Sequence, residues 1–199
     1  MDITLSFKKG SQSDILLDFK TLVIVGANGS GKTRFGSKIE ESYKGITHRI
    51  SAQKSLIMPD FVSPKSREVA KNEFLYGYNY DDIEYLKKYK KANRWGDKPN
   101  THLLDDYEKL LVLLHTEEYE ESLHYKEYGG DKPFTKLDKI QEIWEKVLPH
   151  RKLKKEAGVI KTYPSDNSDS IYNSSEMSDG ERVIFYLIGE VLCVPENSI

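Results

Sequence analysis

The apolar positions change period along the chain, and each period predicts an element. Residues 2–8 alternate, with Ile3, Leu5 and Phe7 apolar, and predict a strand closed by a Lys9-Gly10-Ser11 turn. Asp14 to Phe19 predicts a second strand. Thr21-Leu22-Val23-Ile24-Val25 is a continuous apolar run ending at Gly26, the pattern of a strand buried on both faces. After a glycine-rich turn, Lys32 to Tyr43 predicts a helix ended by Gly45, and Ile46 to Ser51 a returning strand. Between about residues 81 and 148 the period becomes helical. Leu103, Tyr107, Leu110, Leu111 and Leu114 share one face, and Phe134, Leu137, Ile140, Trp144 and Val147 form a second stripe. Gly129-Gly130 and Asp131-Lys132-Pro133 separate the two helices. Gly158 to Tyr163 has strand character, Ser165 to Ser170 is a polar loop, and Asp179 to Cys193 predicts a helix apolar on most of its circumference. The expected fold is α/β, with residues 1–80 and 157–199 as two parts of a core and 81–156 as a helical insertion.

The chain has 199 residues, 38% hydrophobic and 31% charged, the profile expected of one soluble domain or of a domain with an insertion. Its formal charge of -2 gives no global basic field, so any nucleic-acid contact must be a local patch. Val183 to Val194, the longest apolar stretch, is interrupted by Gly189 and Glu190 and is too short and polar to span a bilayer. Met1-Asp2-Ile3-Thr4 lacks the pattern of a signal peptide, so a cytoplasmic protein without membrane attachment is expected. Cys193 is the single cysteine, which excludes an internal disulfide and a Cys-based zinc cluster. The five histidines show no metal-ligand spacing.

Gly26-Ala27-Asn28-Gly29-Ser30-Gly31-Lys32-Thr33 matches the P-loop pattern G-x-x-x-x-G-K-[ST] at every fixed position, between a predicted strand and a predicted helix. Triphosphate oxygens need many donors close to the main chain, and glycine lets backbone amides turn inward without a Cβ clash. The helix after the loop adds the positive end of its dipole. Lys32 is then placed for the β- and γ-phosphates and the Thr33 hydroxyl for Mg²⁺, so ATP and Mg²⁺ are the expected ligands.

The second informative segment is Ser175-Glu176-Met177-Ser178-Asp179-Gly180-Glu181-Arg182, just before the last helix. A serine, a glycine and a helix start can receive an anion. Equally, Ser178 and Glu181 have the spacing of a capping box, and local sequence leaves both readings open.

The P-loop together with Met177 to Arg182 resembles the ABC-type ATPases, in which two nucleotide-binding domains enclose two ATP molecules and the signature of one subunit touches the γ-phosphate held by the other. The resemblance implies a homodimer or homo-oligomer, with Ser178, Asp179, Gly180 and Glu181 as the contacts in trans. Asp179 stands where transporter ATPases carry a glycine, and the Ser-Asp-Gly-Glu-Arg form is more similar to SMC-like and overcoming-lysogenization-defect-like ATPases. Gln53 sits where the resemblance implies the Q-loop glutamine that senses Mg²⁺, although an exposed loop glutamine is the alternative. Arg49 to Leu56 with the signature also resembles anti-phage ATPases of the PARIS type, which implies a TOPRIM-like nuclease partner.

Four apolar residues followed by Asp-Glu, the Walker B strand of that family, occur nowhere in the sequence. The catalytic Asp and Glu are therefore absent from the chain, which is expected to be an N-terminal fragment of a longer ATPase, inactive alone. Lys87-Lys88-Tyr89-Lys90-Lys91 with Tyr85, Arg94 and Trp95 interleaves basic and aromatic residues as a nucleic-acid surface does, and Arg151-Lys152-Leu153-Lys154-Lys155 is a second basic cluster. Solvated helix faces are the alternative for both. Two further functions stay open: a nucleotide-responsive scaffold without turnover, and a small-molecule kinase with 81–148 as its lid. The kinase reading leaves Ser178 to Arg182 unexplained.

Overall fold

A computed structural model describes residues 3–4, 15–16, 21–51, 54–98 and 102–199. The order of elements is β1 (Ile3–Thr4), β2 (Ile15–Leu16), α1 (Lys32–Ser42), α2 (Arg67–Tyr76), α3 (Ile83–Trp95), α4 (Tyr107–Tyr128), α5 (Lys136–Val147), β3 (Arg151–Glu156), β4 (Val159–Pro164), β5 (Tyr172–Asn173) and α6 (Asp179–Cys193). β1 and β2 pair antiparallel, Ile3 opposite Leu16, within the two expected N-terminal strands. A separate antiparallel sheet has the order β3-β4-β5.

The core is mainly helical. Ala70 and Phe74 of α2, Leu110 to Leu114 of α4, Leu137, Ile140 and Trp144 of α5, and Phe185 and Tyr186 of α6 bury their side chains together. Leu153 and Ile160 close the core from the sheet. The whole segment Leu110 to Glu117 is buried, so α4 is surrounded there instead of presenting one stripe. α6 packs on α4 and α5, which gives the expected insertion and the last helix one shared interior. Their approach is close at Gly189, where a Cβ would lie 2.9 Å from Leu110 Cδ2.

Local signals set several boundaries. Thr135 caps α5 in a capping box with Asp138, and Asp82 accepts from the amides of Glu84 and Tyr85 to start α3. α2 escaped the sequence reading, although Ser66 before it and Gly77 after it are a usable start and stop. Tyr76-Gly77-Tyr78-Asn79-Tyr80 is the turn into α3, with the rings of Tyr80, Tyr85 and Tyr89 in series at 4.5 Å and tilted to one another.

The strand expected over Thr21 to Val25 is not formed. The segment has no regular structure, and Val23 and Val25 are 77% and 90% exposed. A doubly buried strand needs a pairing neighbour on each edge and cover on each face, and no described residue pairs with this one. Ile46 to Ser51 is likewise no regular strand, yet it carries the start of a parallel ladder: Ile199 N–H donates to the Ile46 carbonyl (2.7 Å), and His48 N–H donates to the Ile199 carbonyl (2.8 Å). Lys54 forms a parallel bridge with Leu104. Leu103, Phe134 and Val147, expected on the helical stripes, are exposed at or beyond helix ends.

Candidate functional site

The P-loop segment folds as a tight turn into α1. Ser30 N–H donates to the Ala27 carbonyl (3.1 Å), and Gly29 and Gly31 adopt left-handed conformations with φ of 79° and 94°. Gly26 is constrained by space, since a Cβ there would lie 2.6 Å from Ser30 Oγ. α1 begins at Lys32 with no side-chain cap and no acidic residue in its first turn, so its leading amides are left without a side-chain acceptor. Lys32 Nζ donates to the carbonyls of Gly26 (2.6 Å) and Ala27 (2.9 Å), folding the ammonium back over the loop. Asn28 and Thr33 are exposed at the same turn. Backbone amides at a helix start together with one lysine are groups that could hold an anion, and the Thr33 hydroxyl lies next to them in the chain.

Ser178 caps α6. Its Oγ donates to Glu181 Oε2 (2.7 Å) and accepts from Glu181 N–H (3.4 Å), while Ser178 N–H donates to the same carboxylate (2.8 Å). Glu181 also accepts from Arg151 Nε (2.8 Å) and Tyr172 OH (3.3 Å). Burial raises its pKa, but the bonds from Ser178 and Arg151 outweigh that and hold it below the ordinary value. The capping-box reading is thus formed in full, and Glu181 faces inward. Ser178, Asp179 and Gly180 remain exposed at the start of the helix. Gln53 lies outside the described residues.

Between α1 and α6 runs a buried chain of ionisable groups that sequence reasoning missed. Glu40 of α1 accepts from Trp95 Nε1 (3.1 Å) and Arg49 Nε (2.8 Å). Arg94, next to Trp95, lies 4.0 Å from Glu40 and donates to Asp106 Oδ2 (2.9 Å). Asp106 Oδ1 accepts from Tyr186 OH of α6 (2.7 Å). His48 Nε2 sits 2.6 Å from Glu190 Oε2 and 3.4 Å from Arg94 Nη2. Because a guanidinium only donates, Nε2 is the acceptor, and the short contact to Glu190 closes when that carboxyl carries the proton. Both shifts agree: burial, then Arg94 and Lys90, hold His48 well below the ordinary imidazole value, while burial and Asp106 raise Glu190. Both directions favour the neutral forms of the two groups at this contact. The only sequence signal was a lone Glu190 within an apolar helix.

The two basic clusters are largely engaged inside the molecule. Lys90, Arg94 and Trp95 are buried, Lys90 donating to the Thr47 carbonyl. Lys87 pairs with Glu84 and Lys91 with Glu41. The second cluster is β3, whose Arg151, Lys152, Lys154 and Lys155 pair with Glu181, Glu145, Glu156, and both Glu118 and Asp138. Tyr85, Lys88 and Tyr89 of the first cluster stay exposed on α3. Among the described residues no helix is long and apolar enough to cross a membrane, and no group of three His, Cys, Asp or Glu could hold a metal ion.

No protein-family model matches the chain, and neither a curated protein nor a solved structure matches it.

Proposed function

We propose that the chain binds ATP·Mg²⁺ through residues 26–33 and is the nucleotide-binding part of a non-transport, ABC/SMC-like ATPase machine. The observation that carries this reading is the uncapped, acid-free start of α1, with Lys32 folded over a turn that has two left-handed glycines. Lys32 would exchange its two loop carbonyls for phosphate oxygens, Thr33 would hold Mg²⁺, and the amides of Gly31, Lys32 and Thr33 at the start of α1 would complete the cradle. The nucleotide supplies the phosphoryl group; the chain positions it and neutralises its charge. Two features favour the ABC-like branch over a small-molecule kinase: Ser178 to Gly180 are exposed at a helix start, and Ile199 lies parallel beside Thr47 directly after that helix. In this proposal ATP closes two copies into a dimer, and closure controls DNA processing or a nuclease effector, as in anti-phage defence.

The test is calorimetric titration of the protein with ATP and Mg²⁺, then the same titration with Lys32→Ala. Losing the lysine is expected to weaken binding roughly a hundredfold, equivalent to about 2–3 kcal/mol of charge-assisted hydrogen bonding, with the circular dichroism unchanged. Equal affinity in the folded variant refutes the phosphate role. Sedimentation with ATP, with and without Ser178→Arg, reads the dimer. If nucleotide binds without changing the sedimentation coefficient, Ser178 is a helix cap alone and the nucleotide-responsive scaffold takes over.

A further inference from the structure

Away from the P-loop, a cleft of about 830 Å³ opens between the outer half of α4, the β3–β4 turn and the segments around residues 61–64 and 132–138. Its size suits a small organic molecule. Phe61, Tyr119, Leu123 and Tyr125 supply mainly apolar walls and are all partly exposed to solvent.

The polar groups of the cleft are not equivalent. The three lining carboxylates are satisfied: Glu118 and Asp138 share Lys155 and Thr135, and Glu156 pairs with Lys154 and Lys161. Lys126 and Lys132 line the same cleft, and neither has an ion pair among the described residues. Unpaired charge in the cleft is therefore positive. His115 also lines it, only 5% exposed, and its Nε2 has no hydrogen-bond partner. A buried polar atom without a partner carries a desolvation cost that a ligand can remove.

We propose that this cleft binds a small aromatic carboxylate whose acid meets Lys126 and Lys132, whose ring lies against Phe61 and Tyr119, and whose second polar group bonds His115 Nε2. Each feature answers an observation: the anion to unpaired lysines, the ring to aromatic walls, and the second polar group to the orphan nitrogen. A fatty acid fits less well, since its tail leaves His115 unsatisfied. Nothing in this proposal depends on nucleotide binding.

The probe is para,para′-hydroxybiphenylcarboxylate, followed by amide-resolved NMR titration of the whole chain. Its Kd is expected on the order of 1 mM, within the ligand-efficiency ceiling for a molecule of this size, with the largest shifts around residues 115–126 and 155–158. Biphenylcarboxylate, lacking the hydroxyl, is expected to bind roughly tenfold more weakly, because His115 stays unpaired. The methyl ester of the probe, and the Lys126→Gln, Lys132→Gln double variant, should each lose roughly threefold to tenfold. His115→Phe should bring the two acids to equal affinity. If that variant fails to fold, the ester and the lysine pair still decide. No saturable binding, shifts confined to the exposed Val23–Val25 segment, or equal binding of acid and ester would each overturn the proposal.

Discussion

Asp106 is the junction of the buried network, and its removal has a calculable consequence. Its carboxylate accepts from Arg94 Nη2 at 2.9 Å and from Tyr186 OH at 2.7 Å, with all three residues buried. In Asp106→Ala the guanidinium keeps a carboxylate oxygen of Glu40 at 4.0 Å, the Arg49 carbonyl at 3.5 Å and His48 Nε2 at 3.4 Å, none of them a close charged partner, and the phenol loses its acceptor. Breaking a buried pair by removing one partner costs about 3–5 kcal/mol. An orphaned buried hydroxyl adds about 1–3 kcal/mol. The two losses share one cavity and do not sum fully, so about 4–6 kcal/mol is expected, a large part of the roughly 5–15 kcal/mol that keeps a domain folded. With a urea m-value of about 2 kcal/mol/M, the midpoint should fall by about 2–3 M. Trp95 and Trp144, the only tryptophans and both fully buried, report unfolding by fluorescence. Repeating the measurement with Arg94→Met and with the double variant closes a cycle. The double should cost less than the sum of the singles by about 2 kcal/mol or more, because it no longer buries an unpaired charge. A loss below about 1 kcal/mol in Asp106→Ala, or strict additivity, would refute the network as a source of stability.

Three further substitutions test other parts of the structure. Glu190 has its carboxyl pKa raised above the ordinary 4.5 by burial and Asp106, so its stabilisation is full below that value and is lost as pH rises through the raised one. Glu190→Gln keeps the neutral form at every pH; it should match the wild type near pH 4.5 and be the more stable near pH 9, and thermal melts showing an equal difference at both would contradict the assignment. Gly158 has φ +73, and a Cβ there would meet the Val62 carbonyl at 2.3 Å and the Phe61 ring at 2.6 Å. Gly158→Ala should cost about 2–4 kcal/mol by strain and overpacking, whereas Gly129→Ala, with φ +70 and open space, should cost about 1 kcal/mol. Equal melting losses would show that the close approach at Gly158 is not real.

What could be read from the chain alone was local. The start of α6 at Asp179 follows from Ser178 and Glu181, whose capping box involves residues three apart, and its end at Cys193 comes just before Pro195. α1 follows its loop because Gly31 supplies the left-handed residue before Lys32. α5 is bounded by a stripe of period three to four, and α4 ends at Gly129. Charge placement needed the tertiary structure. Lys90, Arg94 and Trp95 look like a surface in sequence and are interior, because their partners Thr47, Asp106 and Glu40 lie 43, 12 and 55 residues away. His48 and Glu190 meet across 142 residues. The cleft at His115 draws its walls from four separate segments. Thr21 to Val25 makes the same point from the other side: an apolar run states that burial would be favourable, but neighbours from elsewhere decide whether it is covered. Helix starts depend on hydrogen bonds within one turn and are written in adjacent residues; desolvation of a charge depends on everything within a few ångströms, which the linear order does not reveal.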